Sequence, residues 1–164
     1  MATQTCHGTC LCEAVRFAVE GQAEKVFMCY CKDCIKNGGA PYQIVIYLTA
    51  PYTQHTPANP IITQMGKFNE EQVKLQSGDE LVGTWVVKKT TSGIEKHKLF
   101  CNRCGCTLWT IPMGHKGEKF IVRTALLEDG LGIFKPEAEF FASLRPSYLE
   151  APKGVKSFDT MPGR

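Results

Sequence analysis

Nine cysteines punctuate this 164-residue chain, and their spacing is the first place to look for chemistry. Cys10-Leu-Cys12 lies near the start and Cys101-Asn-Arg-Cys104-Gly105 far downstream. Residues two apart in an extended segment point to the same side, so Cys10 and Cys12 can converge on one ion. A Cys-x-x-Cys-Gly turn offers two more thiolates, the glycine easing the backbone past the ion. Four sulfur ligands form the closed tetrahedral shell of a structural zinc site, with no position left for substrate. Such an ion would tie the ends of the fold together, and in small domains it contributes on the order of 10 kcal/mol.

Cys29-Tyr-Cys31-Lys-Asp-Cys34 is a second constellation, followed by Ile35-Lys36-Asn37-Gly38-Gly39-Ala40-Pro41-Tyr42. Its thiolates can take three zinc positions and leave the fourth for water, a substrate oxygen or an incoming thiolate, as in a catalytic site. Cys6 or Cys106 could instead close this shell, or both could be small buried hydrophobes. The histidines His7, His55, His97 and His115 have no ligand spacing of their own. His97 shares a strand face with Leu99 and Cys101 and could line a site near the first zinc. The sequence has no glycine-rich phosphate loop after a strand, no Gly-x-Ser-x-Gly elbow and no suggestive pair of acids, so the chemistry falls to the metal.

The elements that must position these thiols read as mostly β. Val15, Phe17 and Val19 alternate with Ala14, Arg16 and Ala18 in a first strand ended by Gly21. Runs rich in β-branched and aromatic residues follow at Tyr42–Thr49, Leu81–Lys88, Ile94–Phe100, Thr107–Ile111, Lys119–Leu126 and Ala138–Ala142. Turn pairs such as Ser77-Gly78, Ser92-Gly93 and Asp129-Gly130 space them as an antiparallel meander or sandwich. Lys32–Lys36 reads as a helical turn. Ala50–Gly66, with three prolines, and the tail from Pro152 to Arg164 read as irregular surface segments. One domain over residues 1–150 and an irregular tail over 151–164 is the expected organisation.

Composition narrows the setting. Hydrophobic residues make up 43% and charged residues 21%, enough for one globular core, and the formal charge of +3 is spread without a basic block, so nucleic acid is not implied. The N-terminus lacks a secretory pattern, and no apolar run approaches the roughly 20 residues that cross a bilayer. Nine cysteines are an odd number and lie below the ~8–10% of a disulfide scaffold, so a reducing cytoplasm and metal ligation are expected.

The chain resembles the glutathione-dependent formaldehyde-activating enzymes, whose domain is shared with centromere protein V. The resemblance runs through Gly8-Thr-Cys10-Leu-Cys12-Glu-Ala-Val15-Arg-Phe17, Cys29-Tyr-Cys31-Lys-Asp-Cys34 with Gly39-Ala-Pro-Tyr42, and Phe100-Cys101-Asn-Arg-Cys104-Gly105 with Thr107-Leu108. A weaker portion follows at Phe141-Ala-Ser-Leu-Arg145-Pro-Ser-Tyr148. It implies a zinc-held antiparallel β-tent with short helical turns. It also implies a structural zinc on Cys10, Cys12, Cys101 and Cys104 and a catalytic zinc on Cys29, Cys31 and Cys34. The implied reaction is addition of glutathione to formaldehyde, of the carbon–sulfur lyase type. Three features depart from the family pattern: Glu13 where glycine usually stands, Cys106 where a small residue such as serine does, and a longer Ala50–Gln72 connection.

Three functions are therefore expected in order. The first is a zinc enzyme joining glutathione and a carbonyl, with Lys32, Lys36, Arg123 and Arg145 as candidate donors to the tripeptide's carboxylates. The second is a zinc lyase or related enzyme acting on a larger carbonyl-bearing metabolite. The third is a non-enzymatic zinc module that contacts a protein partner through Ala50–Gln72.

Overall fold

The structure is a computed structural model, and it describes residues 5–49 and 72–161. All of the proposed Ala50–Gln72 contact segment except Gln72 lies outside the described residues, as does His55.

Two sheets are built from the strands β1 (Thr5–Thr9), β2 (Arg16–Glu20), β3 (Lys25–Cys29), β4 (Gln43–Thr49), β5 (Val73–Ser77) and β6 (Val82–Val87), followed by β7 (Lys96–Cys101), β8 (Thr107–Pro112), β9 (Lys119–Arg123), β10 (Ala138–Phe140) and β11 (Lys156–Phe158). Helix is confined to α1 (Lys32–Gly38), α2 (Gly130–Ile133) and short 3-10 turns among the described residues. The fold is mainly β, as the alternation of apolar residues requires.

The small sheet runs in the order β1-β2-β5, and the large one β11-β10-β3-β4-β9-β8-β7-β6. Their facing sides enclose the main core, which includes Val15, Phe17, Val19, Leu99, Leu108, Trp109 and Val122. Phe17 and Trp109 meet edge to face there, with ring centroids 5.3 Å apart. A second, smaller cluster lies on another face: Phe27, Cys29, Cys31, Ala138 and Phe140, with Ile121 packed against it. On β3, Val26 joins the first cluster while Phe27 and Cys29 join the second, so the pleat sends the cysteine away from the main core.

Most pairings are antiparallel, but β10 runs parallel to both β3 and β11. The tail expected to be irregular therefore contains a strand. Ser157 of β11 donates to the fully buried Glu139 carboxylate at 2.6 Å, and Phe158 packs edge-on against Phe140. These contacts fix the tail even though its sequence carries no apolar alternation. Strands β1, β3 and β5 also go beyond the sequence reading, whereas the runs from Leu81 to Ile111 fall within two residues of the observed β6 to β8, and Lys119–Leu126 overshoots β9 by three residues that form a 3-10 turn.

Candidate metal centres and the adjoining cleft

The Cys10-x-Cys12 turn leaves β1, and Cys101 ends β7 just before the turn that carries Cys104. Their four sulfurs lie within 4.8 Å of one another. Cys10 Sγ stands 3.6 Å from Cys12 Sγ, which stands 3.9 Å from Cys101 Sγ. A tetrahedron with metal–sulfur bonds of about 2.3 Å has sulfur–sulfur edges of roughly 3.8 Å, so this soft donor set fits a zinc ion in spacing and in chemistry.

Backbone geometry prepares both halves. Val15 N–H donates to Cys10 Sγ at 3.3 Å, and Gly105, at φ +73°, closes the second turn by donating to Cys101 O at 2.8 Å. Glu13 has φ +57°, in the left-handed region that favours glycine. The turn thus keeps a glycine-type backbone although its residue is glutamate.

The second cluster is local. Cys29 closes β3, Cys31 caps α1 by accepting from Cys34 N–H at 3.4 Å, and Cys34 lies in the helix's first turn. The three sulfurs lie within 4.8 Å of one another, and no fourth histidine, cysteine or acidic side chain among the described residues joins them. Hydrogen bonds from the Cys29 and Cys34 thiols hold Cys31 far below the usual thiol range, with Lys96 adding to the effect. The same sharing pushes Cys29 up to about 12 and raises Cys34.

Helix α1 is held in place by side chains from four strands. Lys96 pairs with Asp33 at 2.7 Å, Gln43 donates to Cys34 O at 2.8 Å, Thr107 donates to Asn37 Oδ1 at 3.1 Å, and Arg123 donates to Asn37 O at 2.8 Å. Gly39, at φ +60°, ends the helix and returns its N–H to Ile35 O.

Between α1 and the sheet lies a cleft of about 330 Å³, with Cys34 in its wall. The sheet side includes one ladder row: Trp85 on β6 pairs with Lys98 on β7, Lys98 with Thr110 on β8, and Thr110 with Ile121 on β9. Lys36 and Lys96 add two more cations. Burial lowers the Lys98 pKa, helped by the nearby Arg123 guanidinium, and burial also lowers that of Arg123 against the attraction of Cys106 and Cys34.

The other sequence candidates disperse. Cys6 is in the main core and the half-buried Cys106 packs against it, and neither joins a metal cluster. His97 keeps the face of Leu99 but bonds Glu95 at 3.3 Å, outside both clusters. Lys36 lines the cleft and Arg123 supports the helix beneath it, while Lys32 is exposed. Arg145 is committed elsewhere: it donates to Leu149 O and faces the buried Glu139, 3.6 Å away, so it is not a free donor for a ligand. Trp85, Lys96 and Lys98 were not singled out by sequence reasoning; the period-two spacing of the two lysines opposite an exposed Trp85 was their available signal.

A family model described as glutathione-dependent formaldehyde-activating enzyme matches residues 5–67 and 54–144. A crystal structure of a Rhodobacter sphaeroides protein is similar over 74% of this chain and 87% of its own, with 18% identity and a TM-score of 0.48. No curated protein matches the sequence.

Proposed function

The chain belongs to the glutathione-dependent formaldehyde-activating enzyme family, and we propose that it joins a thiol, glutathione first among them, to a carbonyl compound at Cys29, Cys31 and Cys34. The reaction is of the carbon–sulfur lyase type. The observation that carries this reading is the contrast between the two clusters: among the described residues four sulfurs converge at one and three at the other, beside a cleft.

Zinc held by the triplet would supply a Lewis acid that polarises a carbonyl and favours the thiolate form of a thiol. The protein's own residues do the rest. The Asp33–Lys96 pair and the Arg123 and Gln43 hydrogen bonds keep α1 from shifting when the cleft fills. Lys36, on the cleft wall, is placed to meet a carboxylate of the tripeptide. In this reading Cys10, Cys12, Cys101 and Cys104 hold a structural zinc that takes no part in the reaction.

The test is the rate of S-(hydroxymethyl)glutathione formation from formaldehyde and glutathione, followed against the uncatalysed background. The zinc-loaded protein is expected to accelerate it, and Cys29→Ala to abolish the acceleration. A rate equal to background would sink the named reaction.

A further inference from the structure

Formaldehyde, with two non-hydrogen atoms, would leave most of the cleft unfilled. A volume of about 330 Å³ falls within the range of pockets that bind whole metabolites, of roughly 300–1,000 Å³. Three lysines face into it, Lys36, Lys96 and Lys98, against one acid, Asp33. Asp33 is already paired with Lys96. Lys98 has no carboxylate within ion-pair distance among the described residues; its ammonium lies 5.9 Å from the Phe100 ring centre. A partly buried ammonium without a counter-ion, next to a second cation, is a site for an anion.

The row also offers a flat apolar surface. Trp85 is 65% exposed on the outermost strand of the large sheet, and it stands directly across the ladder from Lys98. Side chains so paired have Cβ atoms about 5 Å apart, so one ligand of modest size can touch both. Val87 and Ile121 extend the apolar lining. An exposed indole beside a cation suits a planar ligand with a charged end.

We propose that the carbonyl substrate of this site is a planar, conjugated compound bearing a carboxylate, seated with its face on the Trp85 indole and its anion on Lys98. This rests on the reading of the Cys29, Cys31, Cys34 cluster as the reacting centre. It makes Trp85 and Lys98 specificity-determining residues.

The probe is 4-carboxybenzaldehyde, compared with benzaldehyde and S-methylglutathione, with binding to the zinc-loaded protein measured by ligand-observed NMR and calorimetry. The charged aldehyde is expected to bind at least tenfold more tightly than the neutral one. Lys98→Gln should erase that difference, and Trp85→Ala should weaken both aldehydes several-fold, circular dichroism confirming that each variant is folded. Equal binding of the two aldehydes, unchanged binding in Lys98→Gln, or competitive displacement of the probe by S-methylglutathione would overturn the inference. Because binding is read without turnover, Lys98-dependent binding with no thiol–carbonyl joining would refute the reacting centre alone. Joining without such binding would refute the substrate class alone.

Discussion

Among single residues, Glu139 is held from several sides. Its carboxylate is fully buried, accepts from Ser157 at 2.6 Å, and has Arg145 as its nearest cation. The Tyr30 hydroxyl is pushed up to about 12 by burial and by the Glu139 charge. Removing Arg145 would leave a charge in the interior with only neutral partners. Arg145→Ala is expected to lose about 3 kcal/mol in urea denaturation, and Glu139→Gln less, because the amide still accepts from Ser157. Equal losses would mean that the charge itself is unimportant. Arg145 looked like a ligand donor in the sequence because a lone arginine gives no sign of a buried partner six residues before it. Glu139 was silent for the same reason: in Ala138-Glu-Phe140 it stands between two apolar residues and reads as the solvent face of a strand, yet a second strand and a tail cover it.

At the scale of elements, the legible strands were those whose two faces differ. In β7 and β9, and in β8 from Trp109 onward, the buried Leu99, Trp109, Ile111, Phe120 and Val122 alternate with partly exposed residues, so period two is visible in the sequence. Strand β3, with Val26 to Cys29 all buried between two clusters, has no such alternation, and β11 has only three residues, all exposed. Both depend on pairings with β10 that no local signal announces. The thiols were legible for a different reason: ligand spacing is a local constraint, and Cys-x-Cys and Cys-x-x-Cys turns satisfy it within a few residues. The cleft was not, since its row crosses four strands that only the register aligns. Ending the chain after Pro152 would remove β11 together with its Ser157 and Phe158 contacts. The loss is expected to be about 2 kcal/mol, a fall in Tm of roughly 4–8 °C, with metal content unchanged. An unaltered Tm would show that β11 adds nothing.

At the scale of the whole molecule, the two cysteine clusters make unequal demands. The Cys10 to Cys104 cluster joins turns on opposite sides of the sequence, Cys12 and Cys101 being 89 positions apart, whereas the Cys29 cluster closes within six residues. Constraining the longer loop removes more disorder from the unfolded chain. Cys10→Ala should therefore cost several kcal/mol and unfold much of the protein at 37 °C, while Cys29→Ala should leave it folded with one zinc fewer. Metal analysis and thermal denaturation of the two variants check this, and equal unfolding would count against a catalytic role for the triplet. No helix among the described residues is long and apolar enough to cross a membrane. The two-faced sheet has a consequence for descent. The inward residues of β7, β8 and β9 are constrained by packing, but Trp85, Lys98, Thr110 and Ile121 line the cleft from the opposite face. Trp85, Lys98 and Thr110 can be exchanged without rebuilding the interior, whereas Ile121 also packs against the second cluster, so a lineage could acquire new substrates one outward side chain at a time while its cysteine clusters and backbone stay as they are.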